Sequence, residues 1–432
     1  MKTRTHDKYF CILTLFENHI ILFTMPRKHH FNREVRIRHH FYAWFNRIVV
    51  SNIIRAKYRY KGEKIIKKRR TPQLVFCNHQ SELDPFLLYY VYKAPIYIVA
   101  NEQIVTNPYY GFLLKHFMNT IPIKKGTIDI NVIRRMKDAI AEGGSVGIFP
   151  EGNSIFDAHP CFHLHNPGKL AKMLGIEVVI YNLNGAYFSN PRWSVFRKIG
   201  PTKGTIKKII SKEEVAKMSV ADLEKEISEG LQVDAYENKE NTYSGEFLAK
   251  GLERLFFFCP RCHNHHVLES RGETLFCKNC DFEGTYDEYG YFHVGEKSYK
   301  LYEIAQPMID EYEKYIIEHV NETFSEDVSI KVCWGNKRRR PYPACTFSLN
   351  RDGITIIGKN IDFSIPFEDL RGYGCQQKRK LVLYSYSLPT IIIKMKPMTS
   401  IYQYYITLKI FENIKRKGFN NYVYLSHREL GF

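Results

Sequence analysis

Four short apolar runs, at residues 74–76, 96–100, 146–149 and 178–181, constrain the fold more than any other feature of the chain. Each is too short for a buried helix, so each reads as a buried strand. Helical patterning fills the gaps, most clearly over residues 131–142, which stop at Gly143-Gly144, a pair suited to ending a helix. Strands that alternate with helices predict an α/β sheet with flanking helices. Sites on such sheets lie where the strands end.

Two strand ends carry polar strings. After the first run comes Asn78-His79-Gln80-Ser81-Glu82-Leu83-Asp84, followed by Pro85, which can open a helix. A bend there can point His79 and Asp84 into one cleft. An imidazole whose far nitrogen is held by a carboxylate is fixed in one tautomer and strengthened as a base, which is what deprotonating an alcohol requires. No serine or cysteine nucleophile is needed, because the alcohol itself can attack a thioester in one step. The third run closes on Phe149-Pro150-Glu151-Gly152.

Together with Ile121-Pro122-Ile123-Lys124-Lys125 and Glu177-Val178-Val179-Ile180-Tyr181, these strings stand in the order of the glycerophospholipid acyltransferase motifs. Over roughly residues 40–235 the chain resembles bacterial 1-acylglycerol-3-phosphate (lysophospholipid) acyltransferases. The resemblance implies His79 as general base, Asp84 as its orienter, and Glu151 with Gly152 shaping the acceptor site. It also places Lys124 and Lys125 against the acceptor phosphate. It implies a lysophospholipid acceptor and a coenzyme A or acyl-carrier-protein thioester as co-substrate. The chain departs from the family pattern in three places. Lys125 stands where the family has a phosphate-binding arginine, and a lysine cannot make the two-pronged contact of a guanidinium. Asn153-Ser154-Ile155 follows Gly152 without the usual arginine, and Glu177 lies near the place of a proline.

The chain of 432 residues is too long for one ordinary core, and its 44% hydrophobic and 25% charged residues argue against wholesale disorder. A net charge of +18 points to anionic partners: a membrane surface, a polyphosphate carrier such as coenzyme A, or nucleic acid. Six of the ten cysteines are scattered singly, which fits a reducing, cytosol-facing compartment better than a disulfide framework. The expected location is the cytoplasm, peripheral at the inner face of the cell membrane.

The remaining four cysteines form two knuckles, Cys259-Pro260-Arg261-Cys262 and Cys277-Lys278-Asn279-Cys280. Four thiolates close a tetrahedral zinc site with no open position, so the expected zinc is structural. His263, His265 and His266 follow the first knuckle and read as exposed residues of a ribbon strand, although a histidine could replace one thiolate. The ribbon carries Glu269, Glu273, Asp281, Glu283, Asp287 and Glu288, which weighs against nucleic acid as its partner. The rival reading is a zinc-ribbon protein that binds lipid or nucleic acid and has a degenerate acyltransferase domain. The intact His79, Asp84 and 149–152 strings oppose it.

Six segments are expected. Residues 1–40 form a basic N-terminal segment, in which the apolar stretch before residue 24 is too broken for a spanning helix. Met25 reads there as a natural start, with 1–24 an upstream extension. Residues 41–235 form the acyltransferase domain. It opens on a helix with Phe41, Trp44, Phe45, Ile48, Val49 and Ile53 on one side and arginines on the other, suited to an anionic membrane interface. The basic runs 27–36 and 67–70 strengthen that reading. A charged helix is expected at 211–231 and a polar linker at 236–254. The zinc ribbon spans 255–295 and a helical connector 296–325. Residues 326–432 alternate as short strands and end in a helix capped by Ser400 and stopped by Gly418, an arrangement like a pleckstrin-homology or similar small barrel. The basic run 337–340 would suit anionic head groups there.

Overall fold

The computed structural model describes residues 12–16, 19–23, 40–41, 44–65, 71–92, 94–105, 120–123, 130–159, 166–334, 338–418, 422 and 424–425. The chain divides into two units, Met1–Arg38 and His39–Phe432. In the first, strands β1 (Ile12–Phe16) and β2 (His19–Phe23) pair as an antiparallel hairpin, Ile12 opposite Phe23. Among the described residues no helix is long and apolar enough to cross a membrane. The basic runs 27–36 and 67–70 lie outside the described residues.

Near the start of the second unit, residues 40–41 and 44–45 are helical, and a π-helical turn, Asn46–Val50, runs into the helix Ser51–Lys57. A mixed sheet follows, built from β3 (Tyr60–Gly62), β4 (Gln73–Cys77), β5 (Ile96–Asn101), β6 (Ile121–Ile123), β7 (Ser145–Ile148), β8 (Glu177–Asn184) and β9 (Thr202–Ile210). Their spatial order is β3-β9-β8-β4-β7-β5-β6. Strands β8, β4, β7, β5 and β6 run parallel, whereas β9 returns antiparallel beside β8.

Strand β4 is buried along its whole length, because both faces of the sheet are covered. Successive side chains point to opposite faces. Leu74 and Phe76 therefore join a core with Val178, Ile180, Val132 and Ile227, and Val75 and Cys77 join another with Val179, Tyr181, Leu87 and Leu88. The helix Ile130–Ala141 lies one residue from its expected bounds. The single helix expected at 211–231 is instead two, Lys212–Lys217 and Val220–Gly230. Ser219 interrupts it: its hydroxyl accepts from the Asp222 N–H while the Asp222 side chain takes the Ser219 N–H, a capping box that starts a second helix.

The ribbon is an antiparallel meander of β10 (Leu268–Arg271), β11 (Thr274–Cys277), β12 (Glu283–Tyr286), β13 (Phe292–Val294) and β14 (Lys297–Tyr299). Residues 236–254, read from their polar composition as a linker, are packed: Tyr236, Tyr243, Ala249 and Leu252 are buried. The Tyr236 hydroxyl donates to the Gly290 carbonyl at 2.7 Å and accepts from the Leu301 N–H at 2.9 Å.

After the helix Leu301–Glu318 come β15 (Phe324–Trp334), β16 (Arg338–Asn350), β17 (Gly353–Gly358), β18 (Ile361–Pro366), β19 (Leu370–Gln376), β20 (Lys380–Ser385) and β21 (Thr390–Lys394). They form an antiparallel sheet in the order β18-β17-β16-β15-β21-β20-β19. Its edge strands do not pair with each other among the described residues, so hydrogen bonding does not close it as a barrel. The helix Ile401–Lys417 starts where expected, with the Ser400 hydroxyl accepting from the Gln403 N–H, and is buried along most of its length. It packs against both the sheet and an earlier part of the second unit: Tyr404 meets Phe347, and Tyr402 stacks on Phe156 at 4.0 Å. One hydrophobic core thus joins Phe156, Tyr187 and Trp193 to the ribbon and to the C-terminal sheet.

Candidate active site

The site forms where β4 and β7 end side by side. Asn78 closes β4, and its side chain behaves as one more strand residue: it accepts from the Leu183 N–H at 2.7 Å and donates to the Leu183 carbonyl at 2.9 Å. The chain then bends back through Gln80 and Ser81 to the helix Asp84–Val91, with Pro85 in its first turn. This bend is tied around one carboxylate. Asp84 Oδ2 accepts from the N–H groups of Gln80 (2.6 Å) and Ser81 (2.7 Å), and Oδ1 accepts from the Ser81 hydroxyl at 3.0 Å.

His79 Nδ1 lies 2.9 Å from the same Oδ2, and Asp84 is fully buried. Oδ2 already accepts two backbone N–H groups, so in this contact it accepts from Nδ1–H as well, and Nε2 is the ring nitrogen left to face a hydroxyl. The imidazole is partly exposed and packs against Phe149, ring centroids 4.9 Å apart. An imidazole held in this way can take a proton from a hydroxyl and stabilise the charge it acquires.

Glu151 lies behind it and is buried. Burial pushes its carboxyl well above the usual range despite the His79 backbone N–H that it accepts, and the nearby Asp84 adds to the shift. Gly152 has φ +71°, in the left-handed region that favours glycine. The turn it makes carries the chain to Ile155, whose N–H donates to the His79 carbonyl at 3.1 Å. The two strings are therefore bonded to each other. Lys124 and Lys125 lie outside the described residues.

Sequence reasoning did not single out Gln80, whose amide oxygen accepts the N–H groups of Ala186 and Tyr187 and so docks the short helix Ala186–Ser189 beside the site. It also passed over Arg192 and Lys378: Arg192 Nη1 donates at 3.2 Å to the Ser154 carbonyl and Nη2 donates at 3.1 Å to the carbonyl of Gln377, next to Lys378. No local pattern marks them, since they come from a loop and from a hairpin turn of the distant C-terminal sheet.

The four cysteines converge apart from this cleft. Their sulfurs lie within 4.8 Å of one another, with Cys259 3.7 Å from Cys280 and Cys262 3.8 Å from Cys277. Thiolates at the ~2.3 Å zinc–sulfur distance on a tetrahedron would sit about 3.8 Å apart, so the residues fit zinc. His263, His265 and His266 are not part of this group; His263 instead stacks on Phe258.

Residues 57–182 match the acyltransferase family. Among solved structures, the chain is similar to the 1-acyl-sn-glycerophosphate (LPA) acyltransferase PlsC from Thermotoga maritima, at 16% identity and a TM-score of 0.34, over 45% of this chain and 88% of that one. That likeness is too distant to bear on the site. No curated protein matches the chain. The matched segment begins at the end of the helix Ser51–Lys57 and closes within β8, enclosing both the His79–Asp84 bend and the turn at Glu151. Residues 57–182 of this chain are an acyltransferase-family domain.

Proposed function

We propose that the chain moves a fatty acyl group from a coenzyme A or acyl-carrier-protein thioester to the free hydroxyl of a lysophospholipid, with 1-acylglycerol 3-phosphate as acceptor. The observation that carries this reading is the His79–Asp84 contact at 2.9 Å, fixed by the donors around Asp84. His79 Nε2 removes the hydroxyl proton as the oxygen attacks the thioester carbonyl carbon. The carbonyl electrons move onto oxygen, and the tetrahedral intermediate collapses by breaking the carbon–sulfur bond. The departing thiolate takes the proton back from the imidazolium, leaving an ester and a thiol. Asp84 stabilises the imidazolium in between. Glu151 and Gly152 shape the acceptor side of the cleft, and Lys124 and Lys125 offset the acceptor phosphate.

The protein works at an anionic membrane surface, peripheral at the inner face of the cell membrane. Trp44 and Ile53 are 49% and 56% exposed, and Phe41, Ile48 and Val49 are exposed as well, so this stripe is not consumed by the core. Exposed apolar side chains on a chain of net charge +18 suit an interfacial helix. One structural zinc per chain sits among the four thiolates. Acylation of lysophosphatidate by the purified protein is the deciding assay, run with both thioester carriers; failure to acylate any lysolipid overturns the reading.

A further inference from the structure

The outer face of the ribbon carries a hydroxyl, an imidazole and a carboxylate in one line. Strands β13 and β14 are joined by a two-residue turn with Gly295 at φ +58°, and His293 stands opposite Ser298 across the hairpin. Their side chains therefore leave the same face of the sheet. His293 Nδ1 lies 2.8 Å from the Ser298 hydroxyl oxygen. Its Nε2 lies 2.8 Å from Oδ2 of Asp287, in the turn between β12 and β13. Ser298 is exposed, and His293 and Asp287 are partly exposed.

The carboxylate does not need the imidazole to close its turn. Asp287 Oδ1 by itself accepts the N–H groups of Tyr289 at 2.9 Å and Tyr291 at 2.8 Å, so Oδ2 is left to His293. Oδ2 accepts from Nε2–H, and Nδ1 is then the ring nitrogen that accepts from the Ser298 hydroxyl. A serine protease uses its two imidazole nitrogens in the opposite sense, but the chemistry requires only that the nitrogen held by the carboxylate carry the proton. Strand register supplies one more group. The Asp287 N–H donates to the Tyr291 carbonyl at 3.0 Å, and bonded pairs alternate along an antiparallel ladder, so His293 turns its backbone toward Thr285 on β12. Its pairing with Ser298 is therefore the non-bonded kind, and the Ser298 N–H points off β14, the edge strand of the ribbon. A backbone N–H beside the attacking hydroxyl is where an acyl oxygen gaining charge can be received.

We infer that Ser298, His293 and Asp287 form a second catalytic site, in which the Ser298 hydroxyl takes the acyl group of an activated ester or thioester and hands it to water. Ser298 Oγ bonds the carbonyl carbon as His293 Nδ1 takes the hydroxyl proton, and the carbonyl electrons move onto oxygen. The intermediate then breaks its bond to the leaving alcohol or thiol, which takes the proton from His293. Water attacks the acyl-serine by the same route and leaves a carboxylic acid and the free hydroxyl. Ser298 and His293 are the catalytic residues, and Asp287 is a positioning residue. Because Ser298 is exposed on an edge strand, the substrate class is a short acyl ester, which needs no enclosing pocket. This site is independent of the acyl-transfer reading.

The test uses the full chain with two probes, an alkyl fluorophosphonate and p-nitrophenyl acetate. Mass spectrometry of the labelled protein should find the phosphonyl adduct on Ser298. Ser298→Ala should lose both the adduct and the turnover of the nitrophenyl ester, while acylation of lysophosphatidate is unchanged. His293→Gln should slow labelling by about 10²–10⁴-fold. Asp287→Asn keeps an oxygen for the Tyr289 and Tyr291 N–H groups, but its amide donates to Nε2 and leaves the proton on Nδ1. It should therefore lower kcat for the nitrophenyl ester with KM and melting temperature unchanged, a split that loss of a turn contact would not produce. No adduct on Ser298 in the wild type, an undiminished labelling rate in His293→Gln, or ester turnover that persists in Ser298→Ala overturns the site. Failure to acylate any lysolipid overturns the acyl-transfer reading alone, and the labelling of Ser298 still decides this one. Ser298 is exposed, so its variant keeps the test valid if a substitution at His293 or Asp287 unfolds the ribbon.

Discussion

At the scale of single residues, Asp84 does more than hold an imidazole. It closes the 80–84 bend through two backbone N–H groups and one hydroxyl. His79→Ala removes only the base and should lower kcat by about 10²–10⁴-fold with little change in melting temperature. Asp84→Asn should leave more residual turnover but melt earlier, because an amide cannot accept the same donors. Steady-state kinetics with thermal melts separates the two. Glu151 gives a pH signature. Its folded pKa is raised by burial, so its contribution to stability is full below the unfolded carboxyl value of about 4.3 and falls as pH rises above it. Glu151→Gln keeps the acceptor for the His79 N–H without the ionisation. The melting-temperature difference, variant minus wild type, should therefore grow as pH rises from 4 to 8, and a flat difference would mean that Glu151 is ionised in the fold. The His79–Asp84 pair was legible because spacing, a turn and Pro85 coincide. The burial of Glu151 was not, because it depends on what the rest of the chain stacks above it.

At the scale of elements, periodicity revealed the aromatic stripe of residues 41–53, but periodicity does not say whether such a stripe meets a core or a bilayer. In the fold Phe41, Trp44, Ile48, Val49 and Ile53 are exposed and Phe45 is half-buried, which suits the proposed interfacial role. Replacing both Trp44 and Phe45 with serine should weaken vesicle binding, while activity on detergent-dispersed lysolipid survives better than activity on vesicles. Equal losses in both assays would instead assign these side chains a structural role. Strands with a charged outer face were hard to read: β9 carries Lys203, Lys207 and Lys208, and β15 carries Glu326, Asp327 and Lys331. Only their alternate residues, such as Val328, Ile330 and Val332, face the core. Short buried strands with no charge, such as β4 and β8, declared themselves.

At the scale of the whole molecule, the ribbon shares one core with the residues that follow the acyltransferase-family segment. Trp193 packs edge-on against Tyr286 at 5.2 Å, and Lys198 lies over both rings. Loss of zinc should therefore reach that core. Freshly purified protein should contain one zinc per chain, and Cys277→Ser should lower the melting temperature and the soluble yield, with activity falling only in proportion to the folded fraction. Metal analysis without zinc, or a variant as stable as wild type, would remove the ribbon from this role.

By itself the sequence determined the parts that rest on local chemistry: the α/β alternation, the His79–Asp84 bend, the four thiolates and the Ser400-capped final helix. Each depends on residues a few positions apart, or on pairs whose spacing alone is diagnostic. Only the tertiary structure decided that residues 236–254 are packed, that Phe156 and Tyr402 stack, and that Lys378 stands beside Ser194. Those contacts join residues far apart in the chain. They arise because one continuous apolar core draws three segments together, and no local pattern encodes which distant surface will cover which.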